Sequence, residues 1–415
     1  MAKDYKDLVV ALDIGTAKVM VVVAEVLADG ELRVAGLGMA NHLDVAHTQG
    51  LKRGAVVNID ATVQTIQAAL KEAEQMADCK ISNVYVGITG SHIRGQNSTG
   101  MVIVRDKEVA PVDVARVVET AKAINIPNDQ RLLLVQAQEF IIDGQAVKQP
   151  IGMSGGRLEV KVHIVTGAQS AAENIIKCVR RCGLTVDHLA LNPTASSDAV
   201  LSRDERDLGV ALVDIGAGTT DISIYTDGAL RHTAVIPIAG DLITSDIAMA
   251  LRTPTPDAEQ IKISFGVAKQ LLADPGDRLE VPGLGDRAPR MLSRQALAGV
   301  IEPRVEEIYS LVHQVIRESG CEELLSSGIV ITGGSAVMPG MIELGEDIFL
   351  KPVRRGLPTY SGPLHDMVAT TRSATVMGLL EEARLAHQRG ARAAQQGGSV
   401  KNLLGRARDW FLDIF

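Results

Sequence analysis

Aromatic residues are scarce: five Tyr, five Phe and a single Trp among 415 residues. The cores must therefore close with small side chains, and the abundance of Gly, Ala and Val suits closely packed α/β layers. Cysteine is sparse too, with only Cys79, Cys178, Cys182 and Cys321, which excludes a disulfide framework. Cys178 and Cys182 are spaced to share a helix face, but no second ligand pair accompanies them. Buried, reduced thiols are expected. No run reaches the roughly 18 apolar residues of a spanning helix. The opening MAKDYKDLVVALDIG has no sustained apolar stretch, because Asp13 interrupts it, so no signal peptide is expected. Basic residues are not in excess: Lys plus Arg number 42 against 50 for Asp plus Glu, a net charge of −8. A general nucleic-acid binder carries the opposite balance, and no nucleic-acid partner is expected. A Walker A pattern is also missing, which closes the P-loop route to a nucleotide.

What the chain does have is ordinary globular composition, 46% hydrophobic and 22% charged, and length for two to four domains. Two segments share one plan. LVVALDIGTAKVMVVVAEV (8–26) reads as an apolar strand, a tight turn at Asp13-Ile14-Gly15-Thr16 and a second strand; GVALVDIGAGTTDISIYTDG (209–228) repeats it, with Asp214-Ile215-Gly216 in the turn. Val- and Ile-rich strands are what a sheet buried on both faces requires. Two half-chains that each open this way suggest two similar lobes facing across a cleft.

Helical patterns cover 60–77, 111–124, 169–183, 240–251, 256–273, 294–319 and 373–386; strand-like runs cover 84–89, 131–142, 157–166 and 328–332. The section 84–163 has its own strand-helix-strand-strand pattern and reads as a small domain inserted into the first lobe. Residues 275–290, rich in Pro and Gly, read as a loop or hairpin of the second lobe. Past 386 the polar HQRGARAAQQGG (387–398) reads as a flexible linker.

The turns carry the chemistry. Glycine lets backbone approach an anion, while a Thr hydroxyl and backbone N–H groups donate to phosphate oxygens. An Asp at a strand end can hold magnesium, often through water. Gly15, Thr16, Ala17 and Lys18 in the first turn and Gly216, Ala217, Gly218, Thr219 and Thr220 in the second are thus candidate phosphate-binding residues. Asp13 and Asp214 are the candidate metal residues. Either turn alone is also compatible with an ordinary Gly hairpin. A third Gly-rich loop, Ile331-Thr332-Gly333-Gly334-Ser335-Ala336-Val337-Met338, follows the strand GIVI and leaves room for a flat ring or a phosphate.

The order of these three loops resembles the actin/Hsp70/hexokinase superfamily. DLVVALDIGTAKV, GMSGGRLEVKVHIVT and DERDLGVALVDIGAGTTDISIYTDGALRHT, together with the basic tail, look like the FtsA family of bacterial division actin homologues over essentially the whole chain. The resemblance implies an α/β, actin-like two-lobed fold with an inserted 1C subdomain and a C-terminal amphipathic helix. Subdomain 1A would be 1–83 with 164–205 and 359–386, and 1C would be 84–163. Subdomain 2A would be 206–243 with 301–358, and 2B would be 244–300. ATP would lie between the lobes, with Asp13 and Asp214 holding Mg2+ through water. Gly240, Glu259, Lys262, Gly333, Gly334, Ser335 and Met338 would surround the adenosine, although bare spacing also allows Glu259 and Lys262 to be a solvated i,i+3 pair. One departure stands out: several relatives carry a water-orienting Glu before Pro between the lobes, and this chain has Asn192-Pro193. Asn can hydrogen-bond a water but cannot take its proton, so slow ATP hydrolysis at most is expected and the catalytic residue stays unassigned.

The tail can be read from its residues. On a helix over 399–415, Val400, Leu403, Leu404, Ala407, Trp410, Phe411, Ile414 and Phe415 share one face. Residues 384–408 hold six basic residues and no acidic one, a local reversal of the chain's net charge. The single Trp and two of the five Phe sit in the last six residues, where aromatic rings suit a bilayer interface. A helix packed on its own core or in a partner groove is the competing reading. The resemblance implies filaments of the chain on the anionic inner membrane face at the division septum. It also implies tethering of the acidic C-terminal tail of FtsZ through 2B, with Arg290, Arg294, Glu302 and Arg304 as candidates, and recruitment of later division proteins through 1C. The bland reading of those four residues is a solvated helix face. A PilM-like pilus-assembly homologue and a soluble small-molecule kinase of the same fold are the alternatives.

Overall fold

The structure, a computed structural model, describes residues 7–46, 48–285 and 287–395. Its first lobe is built on a five-stranded sheet in the order Thr185–Leu191, Asn83–Ile88, Leu8–Ile14, Lys18–Val26, Leu32–Asn41. The second lobe repeats the plan in the order Ala229–Ile236, Thr220–Thr226, Val210–Ile215, Ile329–Thr332, Val353–Arg355. In each lobe the DIG strand pairs antiparallel with the strand after its turn and parallel with a later one. That register puts Asp13 opposite Met20, and Asp214 between Asp221 and Thr332.

Continuous apolar runs form these strands because both sheet faces are covered. In the first lobe Val10, Leu12 and Ile14 pack toward Ile66, Ala69 and Ala73 of the helix Ile59–Ala77. The alternate residues Val9 and Ala11 pack toward Val376, Leu379 and Leu380 of the helix Ala374–Gln395. Asn58 caps the first of these helices by accepting from the Ala61 N–H at 3.0 Å. In the second lobe Ala211, Val213 and Ile215 meet Ile243, Ile247, Leu297 and Ile301, and Leu212 faces Val200 and Ala374 from the first lobe. The two lobes thus share a seam at the helices Asn192–Val200 and Ala374–Gln395.

The inserted domain is a four-stranded sheet, Arg94–Ile103, Arg157–Ala168, Gln130–Ile142, Gln145–Val147, covered by the helix Pro111–Lys122. Its start differs from expectation. The strand expected at 84–89 is Asn83–Ile88 and lies inside the first lobe's sheet, parallel to Leu8–Ile14. Its residues Val84, Val86 and Ile88 are buried in that lobe's core, so the insert begins after it.

The second lobe's outer part contains the helices Gly240–Leu251 and Thr255–Phe265, the hairpin Arg278–Val281 with Arg290–Ser293, and the start of the long helix Arg294–Glu318. The helix expected over 256–273 stops at Phe265 because Gly266 turns the chain out of helical geometry, and only a 3₁₀ turn follows at Gln270–Leu272.

The flexible linker expected at 387–398 is a correction. The helix Ala374–Gln395 runs through most of it, since Ala, Arg and Gln are strong helix formers. The helix is also pinned to the first lobe: Arg384 and Gln388 both donate to the Gly30 carbonyl, at 3.0 and 2.9 Å. The tail residues Val400, Leu403, Leu404, Ala407, Trp410, Phe411, Ile414 and Phe415 lie outside the described residues.

Candidate functional site

The two DIG turns close in the same way. Gly15 N–H donates to the Lys18 carbonyl and Gly216 N–H to the Thr219 carbonyl, both at 2.9 Å. They face each other so closely that a Cβ on Gly218 would stand 2.5 Å from Thr16 Oγ1. Only glycine permits that approach. His42, buried and kept neutral by its burial, steadies the first turn by donating from Nε2 to the Gly15 carbonyl at 3.1 Å. Between the turns lies a cavity of about 370 Å³. Gly15, Thr16, Ala17 and Lys18 line one wall, and Gly216, Ala217, Gly218 and Thr219 the opposite one. Thr220 stands just behind, fully buried, with its hydroxyl donating to the Ile238 carbonyl at 2.8 Å.

Three carboxyls, those of Asp13, Asp214 and Asp221, line the cavity. Burial raises Asp13 to about 6, with Lys18 opposing and Asp214 adding to the rise. Burial also raises Asp214, against hydrogen bonds from Ser196 at 2.6 Å and Thr375 at 3.3 Å. Asp221 is raised to about 8 by burial and by the charge of Asp214. Lys18, its own pKa lowered by burial, donates to the Arg372 carbonyl at 2.8 Å. Burial, which penalises the charged carboxylate, is the largest cause of all three rises. A hard divalent cation fits this oxygen donor set. Among the described residues no three such side chains converge on one point, so a cation here would be reached partly through water.

Glu259, Lys262, Gly333, Gly334, Ser335 and Met338 complete the lining of the cavity. Glu259 and Lys262 are not a solvated pair. Their ion pair spans 2.6 Å, and Lys262 also donates to Thr244 Oγ1 at 2.8 Å and to the Gly240 carbonyl at 3.2 Å. Gly333 has φ +91°, and a Cβ there would meet Asp214 Oδ1 at 2.4 Å. Nothing lies within 4 Å of a Cβ on Gly334, which leaves open space beside it. Gly240 starts its helix against the second turn, its N–H donating to the Gly216 carbonyl at 3.1 Å. Asn192 lines the cavity, and its Oδ1 is buried without a hydrogen-bond partner.

Several residues of the site escaped the sequence reading. Thr89 donates to Asp221 across the lobes, Ser196 and Thr375 hold Asp214, and Arg372 lines the cavity beside Lys18. Asp221 carried a usable signal, as an acid that the tight turn after Asp214 brings back opposite it. Thr89, Ser196 and Thr375 are small polar residues within helices or loops and carried none, and Arg372 carried none either. The four candidate partner residues all have internal partners. Arg290 donates to the Leu251 carbonyl at 2.7 Å, Arg294 to the Phe265 carbonyl at 3.0 Å, and Arg304 to Asp246 at 2.5 and 3.1 Å, while Glu302 accepts from Gln270 N–H at 2.8 Å. The thiols of Cys79, Cys178, Cys182 and Cys321 are all free, and burial raises the first three.

Comparison with known proteins agrees with this geometry. The family described as Cell division protein FtsA matches residues 211–378, and the SHS2 domain inserted in FtsA matches residues 90–166. The Cell division protein FtsA of Pseudomonas aeruginosa is 55% identical over 90% of this chain and 88% of its own. That of Neisseria meningitidis serogroup B is 48% identical over 97% and 98%, and that of Escherichia coli K12 is 43% identical over 100% and 99%. Among solved structures, a PilM-PilN type IV pilus biogenesis complex aligns with TM-score 0.63 at 17% identity, covering 91% of this chain and 98% of that one. MreB5 of Spiroplasma citri bound to ADP aligns with TM-score 0.58 at 14% identity, covering 92% and 98%. These two establish an actin-like fold, and the sequence relatives establish the rest: the chain belongs to the FtsA family of cell division proteins.

Proposed function

We propose that this chain binds ATP with Mg2+ between its lobes, assembles into actin-like filaments on the cytoplasmic face of the inner membrane, and tethers FtsZ there at the division septum. The observation that carries the reading is the pair of facing glycine turns around one cavity, with buried carboxyls in its lining. Gly15 to Lys18 and Gly216 to Thr220 would hold the phosphates, and Asp13 and Asp214 the cation through water. Glu259, Lys262 and the Gly333-Gly334 loop would flank the adenosine. Magnesium, when bound, neutralises phosphate charge. Asn192 offers an amide that can orient a water but not accept a proton, which supports slow turnover rather than an efficient ATPase.

Attachment falls to the tail. Among the described residues no helix is long and apolar enough to cross a membrane, and the 399–415 segment has the composition of an interfacial helix. One such helix binds weakly and reversibly, whereas a filament presenting many copies gains avidity without new contacts. The acidic FtsZ tail would dock on the outer part of the second lobe, around Arg290, Arg294, Glu302 and Arg304, and later division proteins on the inserted domain. The test is flotation on anionic liposomes with Mg-ATP, comparing the full chain with one ending at Gly398. Flotation of the full chain alone supports tail anchoring. If both stay in solution, the membrane reading fails, and a soluble kinase or a groove-docked tail takes its place.

A further inference from the structure

Three cationic residues line the cavity between the lobes: Lys18, Lys262 and Arg372. The fold already holds the first two. Lys262 pairs with Glu259 at 2.6 Å and donates to Thr244 Oγ1 and the Gly240 carbonyl. Lys18 directs its amine to the Arg372 carbonyl at 2.8 Å and to Met20 Sδ at 3.4 Å. Arg372 differs. The residue is exposed, and among the described residues its guanidinium has neither an ion-pair nor a hydrogen-bond partner.

The backbone that presents Arg372 is fixed from both lobes. It lies in the short 3₁₀ turn Thr371–Ser373, on the way from the second lobe's edge strand Val353–Arg355 to the helix Ala374–Gln395 in the first lobe's core. The Thr371 carbonyl accepts from Gly333 N–H at 3.1 Å, which ties the turn to the third glycine loop. The bond from Lys18 ties it to the first. Thr375, three residues on, donates to Asp214 at 3.3 Å. The root of the side chain is thus held in place while its charged end is left free.

Charge and shape indicate what that end takes. Burial lowers the Lys18 pKa and, against Asp13, the charge of Arg372 adds to the fall, so the two cations stand near each other. Like charges side by side are unfavourable until an anion joins them. A guanidinium presents its N–H donors as a planar fork that matches phosphate oxygens two at a time. A triphosphate brings one more charged phosphate than a diphosphate to such a pair and gains more from it. We infer that Arg372 is a further polyphosphate-binding residue of the cavity, and that its fork, beside Lys18, makes the site favour a nucleoside triphosphate over a diphosphate. The inference rests on the nucleotide reading above and deepens it. It adds a residue outside the three glycine loops, set on the crossover that touches both lobes.

Calorimetric titration of the full chain with Mg-ATP and with Mg-ADP tests this, because the ratio of the two affinities reports on the longer polyphosphate and cancels a general disturbance of the site. Arg372→Gln is expected to lose about tenfold for Mg-ATP and about threefold or less for Mg-ADP, with a shallower salt dependence of ATP binding. Arg372→Lys, which keeps the charge without the fork, should recover part of the lost ratio. Equal affinities for the two nucleotides in the wild type overturn the preference. A glutamine variant that keeps the wild-type ratio, with or without an equal loss on both, overturns the assignment of Arg372 and leaves nucleotide binding intact. A lost ratio with no recovery in the lysine variant overturns the electrostatic account. Wild-type chain that binds neither nucleotide overturns the nucleotide reading and the inference with it.

Discussion

Thr89, at the point where the chain leaves the first lobe's sheet for the insert, donates its hydroxyl to Asp221 of the second lobe at 2.8 Å. This bond crosses the cleft beside the two glycine turns, so it latches the two lobes at the cavity. Thr89→Val should loosen the latch without opening a cavity. The expected outcome is faster hydrogen exchange at the Thr220–Thr226 strand and weaker Mg-ATP binding by a few-fold. Unchanged exchange in that strand would remove the latch.

Asp214 is the best-supported carboxyl of the cavity, held by Ser196 and Thr375 and opposed in register by Asp221. Asp214→Ala should weaken Mg-ATP binding by about tenfold or more while leaving the fold intact. Calorimetric titration checks the affinity and circular dichroism the fold. Equal ATP affinity in the variant would remove the cation role assigned to Asp214.

The insert is also bonded to the second lobe away from the cleft. His163 of the Arg157–Ala168 strand donates from Nδ1 to Asn97 Oδ1 at 2.7 Å and accepts at Nε2 from Thr233 Oγ1 at 2.9 Å. Gln138 donates to the Leu230 carbonyl at 2.9 Å. Burial lowers His163 to about 3, so it is neutral in the fold. Its contribution is fully present above the ordinary imidazole value of 6.5 and is lost as pH falls from there toward 3. His163→Ala leaves Asn97 and Thr233 short of partners and should cost about 1–3 kcal/mol in urea unfolding. The variant's stability should also depend less on pH below about 6.5 than the wild type's.

Much of this was legible in the chain. The two DIG segments announced two lobes because a doubly covered strand must be apolar throughout, and turns that approach as closely as Gly218 and Thr16 need glycine. Glu259 and Lys262 sat at the right spacing, but spacing could not show that Thr244 and the Gly240 carbonyl would hold Lys262 in place. The strand Asn83–Ile88 was found as a strand and assigned to the wrong sheet, because sheet membership depends on partners distant in sequence. The 387–398 segment looked flexible because it is polar; its helix is continued by propensity and by Gln388 reaching Gly30. Thr89, Ser196 and Thr375 gave no signal, since a lone hydroxyl acquires a role only through what folding brings beside it.

Glu382 titrates in the opposite sense to His163. Burial raises its carboxyl to about 8, with the charge of Asp198 adding to the rise, and His188 stands 3.9 Å away. A carboxyl raised in the fold holds its proton more tightly than the unfolded chain does. Its contribution is complete below the ordinary value of 4.5 and is lost as pH rises toward about 8. Glu382→Gln, which keeps the shape and removes the titration, should flatten the fall in melting temperature between pH 5 and about 8. A variant with the wild-type slope would place the titration on other groups.

Gly378 gives the sharpest test of how the lobe seam supports the site. It lies in the helix Ala374–Gln395 where that helix crosses Asn192–Val200, and a Cβ there would stand 1.7 Å from the Ala195 carbonyl oxygen. The obstacle is backbone, so no rotamer change relieves it. Gly378→Ala must push the shorter helix away, which overpacking data put at about 1–3 kcal/mol or more. That helix carries Asn192 into the cavity and Ser196 onto Asp214, so the displacement reaches the cleft. The expected result is a lower urea midpoint together with weaker Mg-ATP binding, although Gly378 does not line the cavity. Loss of stability with full nucleotide affinity would show that the seam holds the lobes together without positioning the site.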